Sequence, residues 1–403
     1  MGLLRRLRLE PQKPETSHQG PNLRRGSRRM WLMLAVVAIK DICLSEGGIL
    51  SFALRCPLQT RAPWQATNSF DKQSILDMAR ISLWSYTEGF DKRTWDMMRK
   101  SVAGSAGSTS ASTIPDELAK VFEQAGYAEA SALEAALEVS HLASWYPDGE
   151  VVDWVDRRES LDLQGGVFLA PACKTIVIVF RGSTSDADWR QVWKIMQTDY
   201  AVPGAAGLKV HSGVLEQFRD GGEDGARHLI EQMRNLLVAN PGFRVMIGGH
   251  SLGAAIATIF AAEVMQPASK LPQGTKVCLV TLGSPRVGNA EFADWLESQP
   301  GFTGLRVKNR ADIYARLPWL NFRHVGQLVW LKDGQARTYA RGVVPIESTW
   351  PDFLRLSKAG SDHELGEYMH RLKEGLCLGP IARRMGGSDH ELVEYIQRLK
   401  EWL

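Results

Sequence analysis

The residues best equipped for chemistry in this 403-residue chain are a serine and its neighbours, Gly249-His250-Ser251-Leu252-Gly253. A serine hydroxyl attacks a carbonyl carbon once a base takes its proton, and that base needs a carboxylate to orient it. A Gly-x-Ser-x-Gly pattern alone is weak, so its setting has to decide. The apolar run FRVMIG leads into it and AAIATIFAAEVM follows. This is the strand–turn–helix setting in which a sharp elbow holds a serine hydroxyl above a sheet. Glycines on either side permit the strained turn and a close helix–strand approach. Small Ala254 and Ala255 suit the crowded helix start.

In this arrangement acid and base follow the serine along the chain, acid first. Asp312, in VKNRADIYARLP, comes after a strand-like run, whereas Asp294 and Glu297 lie on a polar helical face and are poorer acids. Two histidines compete for the base because an internal repeat duplicates their surroundings. Gly360–Glu374 reads GSDHELGEYMHRLKE and Gly387–Glu401 reads GSDHELVEYIQRLKE, identical at 12 of 15 positions. Each Ser-Asp-His-Glu reads as a capping box, with Ser361 capping a helix and Glu364 reaching back in the first copy. His363 or His390 then falls in a first helical turn, where the dipole disfavours a protonated ring. Loop length excludes neither copy, and Gly366, replaced by Val393 in the second, weakens the first helix. His211 and His324 read as hydrogen-bonded structural residues, and His250 as packing beside the nucleophile. Charge developing on a carbonyl oxygen needs preorganised donors. One is the backbone N–H of Leu252, directly after the serine; the other is expected from the loop after the strand ending in FRG.

The elements that must hold these groups are legible in outline. GGVFLAPACKTIVIVFRG reads as two strands joined at Pro171 to Lys174. Thr175 to Phe180 is continuously apolar, as in a strand covered on both faces. FRVMIGG, VCLVTLG, LRVKN and QLVWL are further strands, with helical stretches between the first three. Strands alternating with helices predict an α/β fold with a mostly parallel sheet. Upstream, SILDMARISLWSYTEGF aligns Ile75, Met78, Ala79 and Leu83 on one helical face. DELAKVFEQAGYAEASALEAALEV gives two helical stretches broken near Gly126, and GSAGSTSAST is a low-complexity insert. SDADWRQVWKIM places Trp189, Val192, Trp193 and Met196 on one face of a short amphipathic helix, which by itself favours a core-facing role.

Composition excludes some functions. The chain is 44% hydrophobic and 23% charged, and its five cysteines show no metal-ligand spacing. Met1 to Met30 carries eight basic and two acidic side chains, so the rest is net −3 within a total of +3. The body therefore offers no basic groove for nucleic acid. RRGSRR followed by the apolar Met30 to Ile39 resembles the n- and h-regions of a signal peptide. Ten apolar positions are well short of the roughly 20 that a spanning helix needs. Secretion or membrane association is the expectation, without a clean cleavage site. The organisation expected is a leader over 1–58, a mostly helical part over 63–156, a catalytic domain over 161–375 and a duplicated helix over 376–403.

From about Leu161 to Tyr368 the segments IVIVFRGSTSDADW, KVHSG, GGHSLGAA, TLGSPRVGN, VKNRADIYARLP, FRHVGQLVW and SDHELGEY occur in an order that resembles the class 3, fungal-type lipases. The resemblance implies an α/β-hydrolase fold with a mostly parallel central sheet, helices on both faces and a short lid helix. It implies Ser251, Asp312 and a histidine as the triad, with Ser183 as the second oxyanion donor. The family's spacing from acid to base is about fifty residues, which favours His363, 51 residues after Asp312, over His390 at 78. The stripe Trp189, Val192, Trp193 and Met196 falls where the family carries its lid, with Tyr200 to Leu208 as a hinge. Hydrolysis of acyl lipids at a lipid–water interface follows, with peripheral membrane contact through the leader and lid, and with no metal or organic cofactor. A non-lipid carboxylesterase and a catalytically silent interaction module of the same fold are the alternatives.

Overall fold

In the computed structural model, residues 72–182, 196–318, 321–339 and 361–377 are described, apart from 88–89, 106–115, 159 and 221. Four helices open this part: α1 (Lys72–Ser85), α2 (Lys92–Ser105), α3 (Asp116–Gln124) and α4 (Glu129–Trp145). Strands β1 (Glu150–Arg157), β2 (Leu163–Ala170) and β3 (Thr175–Phe180) follow, the last two joined by a single 3-10 turn at Pro171–Cys173. The stretch 150–157, left within a mostly helical region by sequence grouping, is a strand. It pairs antiparallel with β2, its register shifts between Val151 and Asp153, and no clean alternation marks it.

Beyond a short ribbon of β4 (Gln197–Asp199) and β5 (Lys209–His211) come α5 (Ser212–Phe218), α6 (Ala226–Ala239), β6 (Arg244–His250) and α7 (Leu252–Met265). Next are β7 (Val277–Leu282), α8 (Ala290–Glu297), β8 (Phe302–Asn309), β9 (Gln327–Lys332), β10 (Gln335–Tyr339) and α9 (Leu365–Leu372). The main sheet has the order β1-β2-β3-β6-β7-β8-β9-β10. From β3 to β9 neighbouring strands are parallel, and the pairs at both edges are antiparallel.

Why the central strands read as unbroken apolar runs is visible in their two faces. Ile176, Ile178 and Phe180 point into one core with Val245, Ile247 and the alanines of α7. Val177 and Val179 point into the other with Met246, Val280 and Leu282. Burial on both faces removes the alternation that a half-exposed strand would keep. Helices α5 to α8 supply the first core, and α1 to α4 with α9 supply the second. This is the α/β-hydrolase architecture.

Helix α1 differs from its sequence reading in one respect. Every residue from Ser74 to Ser85 is buried, polar ones included, so it is an internal helix and not an amphipathic one. Its Arg80 pairs with the buried Glu138 of α4 at 3.4 Å, and Glu138 also pairs with Lys373, just after α9. A buried carboxylate persists only when paired. Here Glu138 ties the start of the described chain to its end.

Candidate active site

Strand β6 ends at His250 and α7 begins at Leu252, leaving Ser251 to make the whole turn. Its backbone sits at φ 57° and ψ −126°, a conformation costly for any residue with a Cβ. Both sides hold it there. The Ser251 N–H donates to Leu282 O at 2.9 Å, and Ser251 O accepts from Ala254 and Ala255 at 3.1 and 3.3 Å. The glycine at 253 is required by proximity: a Cβ there would run into Phe180 O and lie 2.7 Å from the Arg181 carbonyl. Leu252 is 1% exposed and opens α7, so its N–H is among the first-turn donors without an intrahelical acceptor.

Three side chains from distant parts of the sequence meet at this elbow. His363 Nε2 lies 2.8 Å from Ser251 Oγ. His363 Nδ1 lies 3.0 and 2.9 Å from the two carboxylate oxygens of Asp312. A carboxylate only accepts, so Nδ1 carries the proton and the bare Nε2 accepts from the serine hydroxyl. The Tyr314 ring covers the imidazole, with centroids 4.2 Å apart.

Asp312 is fully buried yet well supplied with donors. Tyr368 Oη donates to Oδ2 at 2.6 Å, and the N–H groups of Tyr314 and Ala315 donate to Oδ1 at 2.9 and 3.2 Å. Burial alone would raise the Asp312 carboxyl, but the electrostatic pull of the His363 ring and the bonds from His363, Tyr368 and Ala315 outweigh it and hold it below the usual range. Tyr368 is pushed the other way, well above the ordinary phenol, by burial and the adjacent carboxylate. It therefore stays a donor, while its own oxygen accepts from the Asn309 N–H at 3.0 Å.

The capping-box reading of Ser361 to Glu364 is not what forms. Ser361–His363 is a lone 3-10 turn, and α9 starts at Leu365 with Glu364 as its cap residue and no side-chain cap bond. His363 precedes the helix instead of lying in its first turn. Its carbonyl accepts from His250 Nε2 at 2.8 Å, which fixes the proton of His250 on that nitrogen. The other nitrogen, Nδ1, accepts from Tyr86 Oη at 2.9 Å. Sequence reasoning placed His250 beside the nucleophile but missed Tyr86, Tyr368 and Asn309. Tyr368 carried a signal, since the repeat duplicates it as Tyr395; Tyr86, 164 residues from His250, carried none.

Of the other candidates, His324 Nε2 donates to Ala315 O at 2.8 Å and His211 Nδ1 accepts from Val214 N at 3.4 Å, both structural contacts. Asp294 pairs with Arg323 at 3.0 Å, and Glu297 accepts from the Gly326 N–H. Ser183, Trp189, Val192, Trp193 and His390 lie outside the described residues. Met196 is described and 73% exposed.

Burial, and then the neighbouring His363 imidazole, lower His250 from 6.5 to about 3. The unfolded chain therefore takes up a proton that the folded chain refuses, and stability falls as pH drops from 6.5 toward 3. The slope reaches about 1.4 kcal/mol per pH unit. Asp312, whose folded value is lowered, loses its contribution only below its unfolded value near pH 4. Denaturant titrations between pH 6.5 and 4.5 should thus show a shallower dependence for His250→Asn than for the parent. Equal slopes would remove His250 as the cause.

Gly283 supplies a second prediction. It sits at φ 60°, and a Cβ there would lie 3.0 Å from Asp312 Oδ2, 3.1 Å from Tyr368 Oη and 3.2 Å from His363 Cε1. Gly283→Ala should lower kcat about 100-fold, the scale of an ångström's misplacement. It should also cost about 1–2 kcal/mol of stability for the left-handed backbone. A variant with parental kcat in a steady-state assay would show that the site relaxes around the methyl group.

Residues 177–322 match the family model described as Lipase (class 3). A lipase from Rhizomucor miehei is 33% identical over 167 residues, covering 41% of this chain and 44% of that protein. A secreted mono- and diacylglycerol lipase 1 from Fusarium solani is 35% identical over 165 residues, covering 40% of this chain and 46% of that one. The chain thus spans less than half the length of these curated relatives. Among solved structures, a Rhizomucor miehei lipase–propeptide complex aligns with a TM-score of 0.50 at 23% identity, over 74% of this chain and 80% of that chain. That is a likeness of fold.

Proposed function

We propose that this chain, whose residues 177–322 match the class 3 lipase family model, is a serine hydrolase of acyl-lipid esters acting through Ser251, His363 and Asp312. The observation that carries the reading is the unbroken relay from carboxylate to imidazole to hydroxyl, at 2.9 and 2.8 Å. Ser251 Oγ attacks the ester carbonyl as its proton passes to His363 Nε2. Asp312 holds the ring and stabilises its charged form. The Leu252 N–H donates a hydrogen bond to the developing oxyanion, and Ser183 is the second donor by family resemblance. His363 returns the proton to the leaving alcohol, and water then repeats the sequence on the acyl-enzyme. The acylglycerol substrates named for the relatives are the class proposed here.

The test is covalent labelling of the purified chain by a fluorophosphonate, together with hydrolysis of esters of increasing acyl length. Stoichiometric labelling and a preference for long-chain emulsions are expected. A folded chain that is not labelled, with detergent or lipid vesicles present, would overturn the hydrolase reading. Turnover confined to short soluble esters would overturn its lipid part.

A further inference from the structure

The catalytic imidazole has an aromatic neighbour that the proton relay does not use. The Tyr314 and His363 rings have centroids 4.2 Å apart and planes inclined at 36°. That separation is too short for an edge-on pair, so the phenol turns its face to the imidazole. The face is the negative pole of the ring's quadrupole. The phenol also stays neutral there, because burial, and then the Asp312 and Glu364 carboxylates, push its ionisation above the ordinary range.

The turn that delivers the acid also delivers this ring. Tyr314–Arg316 is a 3-10 turn just beyond Asp312, and the Tyr314 N–H donates to Asp312 Oδ1 at 2.9 Å. The Leu317 N–H closes the turn on Tyr314 O at 3.1 Å. Two side chains brace it from outside. His324 Nε2 donates to Ala315 O at 2.8 Å, and the Arg286 guanidinium donates to Arg316 O and to Pro318 O. The Arg286 N–H adds a bond to Leu317 O at 2.7 Å. A fixed backbone therefore sets the ring against His363.

We propose that Tyr314 lowers the reaction barrier through His363, its ring face stabilising the imidazolium that forms when Ser251 Oγ gives up its proton. This rests on the hydrolase reading above. In the resting site the proton sits on Nδ1 and Nε2 is bare, so the imidazole is neutral. The cation exists once the Oγ–H bond breaks and Nε2–H forms, and it ends when Nε2 passes that proton to the leaving alcohol. A cation within about 6 Å of an aromatic centroid is drawn to the ring face, and a neutral ring is drawn far less. The contact is thus stronger in the transition state than in the ground state, the condition for raising kcat without tightening substrate binding. The same cation recurs when water attacks the acyl-enzyme, so the effect reaches kcat whichever half-reaction is slower. The other neighbours do not duplicate it. Asp312 acts at the Nδ1 edge, and His250, with its ring centroid 4.9 Å from that of His363, is itself neutral.

The experiment varies the charge on the ring face while keeping its shape, in the full chain, with steady-state hydrolysis of a long-chain ester as the readout. Tyr314→Phe keeps the face and should hold kcat within about twofold. Fluorinated phenylalanines at position 314, first with one and then with three ring fluorines, withdraw charge from the face, and kcat should fall stepwise. Tyr314→Leu removes the face and should lower kcat about five- to thirtyfold, with KM nearly unchanged. Thermal melts of each variant separate these losses from loss of fold, and the fluorinated pair decides the matter if the leucine variant does not fold. A ring that only fills space gives a level series. Level kcat through three fluorines, with the parent active, overturns the proposal and leaves the hydrolase reading intact. A loss that appears in KM and not in kcat also overturns it, since the ring would then be a substrate contact. A folded parent that neither turns over nor takes a fluorophosphonate overturns the hydrolase reading and this inference with it.

Discussion

Ser251→Ala should lose about six orders of magnitude in kcat, the scale on which a triad nucleophile fails alone. Ser251 Oγ is the hydroxyl that meets His363 Nε2, at 2.8 Å. The residue that aims at the imidazole does so only because the elbow at φ 57° points it there. What survives is binding and the donors around the oxyanion, worth about a thousandfold or more over water. Substrate affinity should change little, because the hydroxyl contributes to bond making and not to ground-state contact. Stability offers a companion measurement. Alanine keeps the Cβ and the strain, whereas Ser251→Gly relieves it and should stabilise the fold by about 1 kcal/mol while abolishing turnover. Thermal melts and single-turnover assays on the two variants read both effects. Residual turnover above about one per cent would show that some other nucleophile carries the reaction.

Asp312→Asn should reduce kcat about ten-thousandfold, although the side chain keeps its shape. The carboxylate is surrounded by donors: His363 Nδ1, Tyr368 Oη and the N–H groups of Tyr314 and Ala315. An amide has one acceptor oxygen and turns an NH2 toward one of those donors, which favours the wrong imidazole tautomer. The stability signature has a definite sign. The folded Asp312 carboxyl titrates below its ordinary value, so it stabilises the fold above about pH 4 and loses that contribution on acidification. Asp312→Asn should therefore be less stable than the parent at neutral pH, and the two should converge as the pH falls. Parental kcat, or parallel stability curves, would take Asp312 out of the site.

How much of this could be read beforehand follows from the range of the interactions. The elbow was legible because its requirements are local: a strand, two glycines and small residues within a few positions of Ser251. The strand Thr175–Phe180 was legible because burial on both faces writes an unbroken apolar run. β1 was not, since Glu150–Arg157 lies at a sheet edge and its register shifts at Val151. The turn carrying His363 was misread because Ser-Asp-His-Glu satisfies a local capping rule, while tertiary bonds from Asn309, Ala311 and His250 dictate a 3-10 turn and a later helix start. The Tyr86–His250 pairing depends on proximity across 164 residues, which no local pattern records.

The placement of α9 has a consequence for the order in which the chain is made. Its apolar face packs into the core shared with α1, and Lys373 closes on Glu138 of α4. The base thus reaches the serine through a surface whose two halves lie far apart in the sequence. A nascent chain long enough to display its nucleophile, acid and sheet still lacks the group that activates the serine. Under the proposed mechanism, a chain cleaved before Ser361 keeps the nucleophile and the acid but lacks the segment that brings His363 to them.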